Sequence, residues 1–220
     1  MAPMTGAASP LRGRQREAAR NDGVILAAAR DVFLEDPKAP ISAVAERAGV
    51  GISALYRRYA GKEELLRTLC HDGLKAFIQA AQDADEMNEG WDALTTFLRE
   101  VVDADVHSLT VHLAGTFTST PEMVQDAVRS NELVARLVDR AHAGGRLRPD
   151  VVVTDIGIVL EACAAIRLPD KERTVELRRR YLALTIDGMD RDDADALPGP
   201  PPAPGEMNWR WARSRQGQSS

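Results

Sequence analysis

The chain has 220 residues, 44% hydrophobic and 28% charged, which excludes a disordered polymer and fits one large or two small domains. The longest apolar run, 151–168, is broken by Asp155, Glu161 and Arg167, so no membrane span is expected. The N-terminus lacks the apolar core of a secretory signal, so the expected location is cytoplasmic. The net charge of -5 is uneven: residues 1–62 carry 10 basic and 6 acidic side chains, residues 63–220 carry 18 and 27, a basic head on an acidic body.

Residues 1–20 mix Gly, Pro, Ser and Arg without a period and read as a flexible arm. From Asn21 the pattern turns helical, with Ile25, Ala28, Ala29, Val32 and Phe33 at helical spacing and Asn21 or Asp22 as N-cap. Asp36-Pro37 stops this helix. Pro40 then opens a short helix, Ile41 to Ala48, which Gly49 ends with a left-handed cap. A third helix covers about Ile52 to Tyr59. A fourth begins at Lys62-Glu63-Glu64, its acidic first turn matching the helix dipole.

A long segment from Trp91 carries Leu94, Phe97, Leu98, Val101 and Val102, and Gly115 and Thr118 to Pro121 punctuate it. Pro121 opens another helix that Gly144-Gly145 ends. Two more follow, about Val152 to Arg167 and Lys171 to Met189. No stretch alternates at period two for long enough to be a strand, so the fold class is all-α. Pro198 to Pro204 reads as an extended proline-rich linker, followed by a tail with Trp209 and Trp211. Cys70 and Cys163 are too few for a disulfide framework or a cysteine metal site.

The informative stretch is residues 41–62, ISAVAERAGVGISALYRRYAGK. Two short helices joined by Ala-Gly-Val-Gly have the length and turn glycine of a helix-turn-helix. Val44, Ala45, Ala48, Val50 and Leu55 supply its small apolar interior. The other face of the third helix presents Ser53, Tyr56, Arg57 and Arg58. A major groove admits one helix, and arginine pairs bidentately with guanine.

Residues about 21–68 resemble the DNA-binding domain of TetR-family transcriptional repressors. The resemblance rests on ILAAARDVF (25–33), VAERAGV (44–50), LYRRY (55–59) and KEELL (62–66). It implies an N-terminal three-helix reading head, followed by a helical ligand-binding and dimerisation domain. It also implies a homodimer on a palindromic double-stranded DNA operator. Motif matching carries DNA contacts onto Ser42, Ile52, Ser53, Ala54, Tyr56, Arg57, Arg58 and Lys62, with Tyr56 and Lys62 on phosphates. The sequence departs from the family where relatives carry Ser or Thr at the start of each short helix. Pro40 and Gly51 stand there, so two side-chain caps are lost. The expected domains are an arm at 1–20, the head at 21–68, the body at 69–190, and a linker and tail at 191–220.

For the body, Gly-Arg-Leu-Arg-Pro-Asp (145–150) followed by two helices is similar to family members, whose last two helices pair with the partner's. Ile156, Val159, Leu160 and Cys163, then Val175, Tyr181, Leu182, Ile186 and Met189, face either that partner or the chain's own core. Leu69, Phe77, Trp91, Phe97, His107, His112, Phe117 and Met123 are the candidate lining for a small, mostly apolar ligand. By this reading, a ligand would tilt the fourth helix and alter the spacing of two heads.

Other chemistries find little support. Gly49-x-Gly51-x-x-Ala54 mimics a dinucleotide fingerprint but lacks the preceding strand. Asp103, Asp105 and His107 read as solvated helical residues, so no metal site and no cofactor are expected. Nothing resembles a nucleophile elbow, so the chain reads as no enzyme. The alternative in another class is a helical protein-interaction module that no longer reads DNA.

Overall fold

Helical periodicity in the sequence becomes nine α-helices among the described residues of a computed structural model. Those residues are 10–113, 115–190, 195–203 and 205–206, with side chains from residue 22 onward. The chain divides into two units, Met1–Leu69 and Cys70–Ser220.

In the first unit α1 spans Pro10–Glu35, α2 Ile41–Ala48 and α3 Ile52–Arg58, and α4, Lys62–Asp85, begins. Helix α1 starts eleven residues before the expected Asn21. Leu11, Gln15, Glu17, Ala18 and Ala19 are good helix formers, and Pro10 suits a first turn; this outweighs the Gly and Arg content that reads as an arm. Residues 1–9 lie outside the described residues. Asn21 and Asp22 therefore sit inside the helix rather than capping it. Ile25, Ala29, Phe33, Val44, Ala45, Leu55, Leu65 and Leu66 form the buried interior.

The α2–α3 turn is built on Gly49, whose φ of 65 lies in the left-handed region that only glycine enters cheaply. Its N–H donates to Glu46 O at 3.1 Å and the Val50 N–H to Ala45 O at 3.0 Å, which closes the helix end. Pro40 and Gly51, the N-caps of α2 and α3, give no side-chain hydrogen bond, as the sequence implies.

In the second unit α5 spans Gly90–Asp103, α6 Val106–Leu113, α7 Pro121–Ala143, α8 Val153–Ala165 and α9 Lys171–Met189. Helix α5 packs on α7, α8 and α9, and α6 on α8. Leu94, Phe97, Leu98, Val101, Leu137, Ile156 and Leu182 fill the core. Gly90 permits the α5–α7 approach: a Cβ there would meet Arg140 O at 2.3 Å. Thr120 caps α7 by accepting from Met123 N–H at 3.2 Å, behind Pro121.

One break was not legible. The segment from Trp91 divides at Ala104-Asp105, where Asp105 has φ 52. Aspartate tolerates this region, and its carboxylate accepts from Ser108 Oγ just inside α6.

The proline-rich segment is docked at several points. Arg148 donates to Asp195 O at 2.8 Å, the Leu197 N–H to Asp150 Oδ2 at 2.8 Å, and Thr154 Oγ1 to Pro202 O at 2.8 Å. Trp209 and Trp211 lie outside the described residues.

Candidate nucleic-acid interface and ligand core

Alternation of buried and exposed side chains along α3 defines a face. Leu55 turns into the interior, and Tyr59, which follows the helix, is buried too. Ile52 is 39% exposed and Tyr56 52%, and Ser53, Arg57 and Arg58 are exposed beside them. Ala54 is half-buried, and Ser42 is exposed at the start of α2.

The cations on this unit differ in what they do. Arg58 grips Asp22 of α1 through both arms of its fork, with Nε 2.7 Å from Oδ1. That bidentate pairing raises its pKa. Arg47 of α2 reaches Asp31 at 3.5 Å and Glu35 at 3.3 Å. Lys62 is turned inward: Nζ donates to Pro37 O at 2.8 Å and Ala39 O at 2.7 Å, and lies 5.1 Å from the centroid of Phe33. Desolvation lowers its pKa. The sequence assigned Lys62 to a phosphate; the structure gives two of its three donors to the turn between α1 and α2. Among the described residues Arg57 has no hydrogen bond or ion pair, which leaves its guanidinium available to an external acceptor.

The proposed ligand lining is densely packed. Leu69 is buried within the first unit. In the second, Trp91, Phe97, Phe117 and Met123 are buried, and Phe77 meets Phe97 edge-on at 5.1 Å. His112 Nδ1 lies 2.8 Å from Ser108 O. A cavity of about 10 Å³, the size of one water, is lined by Val101, His107, Leu160, Cys163 and Arg178 among others. Of the eight candidates, His107 lines this cavity.

Sequence reasoning missed Arg178, which is 5% exposed. Its guanidinium donates to Asp105 Oδ1, Ile166 O at 3.0 Å, Ala164 O at 3.2 Å and Ser108 Oγ at 3.3 Å. It gathers the α6 start and the α8 end onto α9. An Arg-Arg-Arg run at 178–180 gives no sign of which arginine points inward.

The suspected acidic cluster is divided between arginines: Asp103 pairs with Arg179 at 2.7 Å and Asp105 with Arg178. Burial pushes the Cys70 thiol up to about 12 and also raises Cys163, so neither offers much thiolate. The apolar positions of α8 and α9 separate into two sets. Ile156, Leu160, Cys163, Leu182, Ile186 and Met189 belong to the chain's own core. Tyr181 and Leu184, 53% and 54% exposed, stand outward with half-buried Leu177 at helical spacing.

The family model described as bacterial regulatory proteins, tetR family, matches residues 25–69, and the SbtR-like transcriptional regulator C-terminal domain matches residues 89–191. No curated protein matches the chain in sequence. Among solved structures it is similar to a gamma-butyrolactone receptor (ArpA-like protein), with TM-score 0.61 and 19% identity over 92% of this chain and 100% of that one. A TetR transcriptional regulator from Streptomyces coelicolor aligns with TM-score 0.56 and 24% identity over 79% and 99%. The TetR-like regulator LfrR from Mycobacterium smegmatis, solved with proflavine, aligns with TM-score 0.52 and 22% identity over 76% and 96%. At these identities the structural likeness speaks for the fold. Among the described residues, no helix is long and apolar enough to cross a membrane.

Proposed function

Because the chain belongs to the TetR family of bacterial regulators, DNA-binding proteins with a ligand-binding C-terminal domain and no enzymatic activity, we propose that it is a cytoplasmic, dimeric transcriptional repressor released by a small organic ligand. The observation that carries this reading is the exposed face of α3, where Ile52, Ser53, Tyr56 and Arg57 stand on a glycine-closed turn. In this reading α3 enters the major groove. Arg57 reads a guanine edge, Ile52 a thymine methyl, and Ser42, Tyr56 and the exposed part of Arg58 take phosphates.

Leu177, Tyr181 and Leu184 of α9, with Ile158 and Ala162 of α8, are the apolar surface offered to a second copy. A two-fold dimer sets its heads about 34 Å apart and calls for a palindromic operator. The ligand is mostly apolar in this reading, since the buried Phe97, Phe117 and Met123, with half-buried Phe77, are its candidate lining. A neighbour solved with proflavine agrees with that class. The cavity beside His107 and Arg178 holds about one water, so a ligand of ordinary size seated there parts its lining side chains, and in this reading that rearrangement is the switch.

The test is a mobility shift on the DNA upstream of the protein's own gene, followed by footprinting with each ligand found in a thermal-shift screen. A protected palindrome, lost on adding ligand, is the expected result. Binding to no DNA at all would favour the protein-interaction module. A footprint that every tight ligand leaves unchanged would make the protein a constitutive binder.

A further inference from the structure

In the second unit arginine answers several carboxylates: Arg136 and Arg140 meet Asp85, Arg179 meets Asp103, Arg178 meets Asp105 and Arg146 meets Asp190. One cluster departs from this pattern. Glu122 and Asp126, four residues apart at the start of α7, lie on the same helix face, where like charges repel. Facing them is His71 of α4, with Nε2 2.8 Å from Asp126 Oδ2. One ligand atom from each of the three lies within 4.8 Å of the others. Among the described residues neither carboxylate has an arginine or lysine partner.

We propose that His71, Glu122 and Asp126 form a binding site for a divalent first-row transition cation. The donors are one imidazole nitrogen and two carboxylate oxygens. That mixture suits zinc, cobalt, iron or manganese better than magnesium or calcium, which favour oxygen alone. Without a cation, the 2.8 Å contact between His71 Nε2 and Asp126 Oδ2 holds a hydrogen between the two atoms. A divalent ion takes that hydrogen's place; the displaced proton moves to Nδ1 or is released to solvent, and the ion's two charges balance both carboxylates.

The required movement is small. Donors around a tetrahedral zinc stand about 3.4 Å apart. The His71–Asp126 contact must open by a fraction of an ångström, and Glu122, which is exposed, must swing inward. Solvent supplies the fourth ligand. The bound ion would tie α4 to the start of α7 inside the second unit. The three residues are separated by 51 and 4 positions, so no local motif announced them.

The experiment uses untagged, metal-stripped full-length protein titrated with Co²⁺, read by its visible d–d absorption, and then with Zn²⁺ as competitor. A saturable single-site spectrum is expected, displaced by Zn²⁺ and little affected by excess Mg²⁺. Glu122→Gln keeps the volume of an exposed side chain and should weaken Co²⁺ by about 10- to 100-fold, at least the loss seen for outer-shell partners. Asp126→Asn should do the same, and His71→Gln should remove the spectrum, with circular dichroism checking the fold. Absence of a Co²⁺ spectrum overturns the proposal. So does a titration unchanged in Glu122→Gln and Asp126→Asn, which would place the ion on other histidines or the cysteines.

Discussion

Both units tie helices with charge, but the first adds small residues and a glycine-closed turn to short helices, whereas the second relies on arginines that reach far along the chain. In the head, Ala45, Leu55 and Phe33 are buried, and the turn closes on Gly49. Lys62 fastens the α1–α2 turn through two carbonyls. In the body, arginines tie helices across long separations, from Asp85–Arg136 to the buried Arg178 group. The lesson concerns counting charge. The head's net of +4 suggests a broadly basic surface, yet Arg47, Arg58 and Lys62 are engaged internally. Arg57 is the described cation of α3 left to the solvent, which is why the proposed base reading falls to it.

The largest effect should come from breaking the body's buried charge. Arg178→Ala removes the guanidinium from Asp105, two backbone carbonyls and Ser108, and leaves the Asp105 charge without that cation. Removing one partner of a buried pair costs about 3–5 kcal/mol, and the low end applies because Asp105 is partly wet. Urea unfolding should show a loss near about 3 kcal/mol. Retained stability would mean that Arg178 is not the tie between α6, α8 and α9.

Next comes the contrast between two cations of the head. Arg57→Ala should cost about 1–3 kcal/mol on the operator and relax preference at one base pair, with the melting temperature unchanged. Lys62→Ala should do the reverse, losing about 1.5–3 kcal/mol of stability through two charge-assisted hydrogen bonds. Calorimetry and binding titrations on both variants separate the roles. Equal operator losses with equal stability would return Lys62 to the phosphate role that the sequence suggests.

The outward face of α9 gives a third comparison. Leu182→Asp buries a charge in the core and should unfold the second unit, while Tyr181→Asp or Leu184→Asp should leave the fold intact. Light scattering on the latter two should show monomers if this face meets a second copy. An unchanged oligomeric state would remove the surface from the dimer.

What the sequence revealed follows the range of the interactions involved. Helix ends written in one residue were legible: Gly49, Pro121, Gly144-Gly145 and the Lys171–Met189 span. The turn glycine and the LYRRY run placed α3 and its exposed face. Features set by partners far along the chain were not legible. The inward Lys62 depends on Pro37 and Ala39, the Arg58 fork on Asp22, and the choice of Arg178 over its neighbours on Asp105. The α5–α6 break has no glycine or proline; it depends on a single aspartate entering the left-handed region and being held there by Ser108 and Arg178. Exposed and core positions of α9 share one periodicity, so spacing alone could not tell Leu182 from Tyr181.

The smallest expected effect is local and tests whether charge also fastens the proline-rich segment. The Asp150 carboxylate accepts from Arg148 at 2.6 and 2.9 Å and from the Leu197 N–H at 2.8 Å. The Arg148 hydrogen bonds, then the Leu197 amide, hold its pKa well below the usual carboxylate range. A depressed folded pKa means that the ionised form stabilises this contact. The stabilisation is complete above the ordinary aspartate value of about 4 and drains away as pH falls through the lowered folded value. Docking of residues 195–203 should therefore hold at neutral pH and loosen only in strong acid. Asp150→Asn, which keeps the shape but loses the charge and one acceptor oxygen, should loosen it at neutral pH. Hydrogen exchange at the Leu197 amide reads the contact directly: faster exchange in Asp150→Asn, with core amides of α5 unchanged, is the expected outcome. Equal protection in both proteins would mean that Thr154 and the backbone of Asp195 hold the segment without the carboxylate.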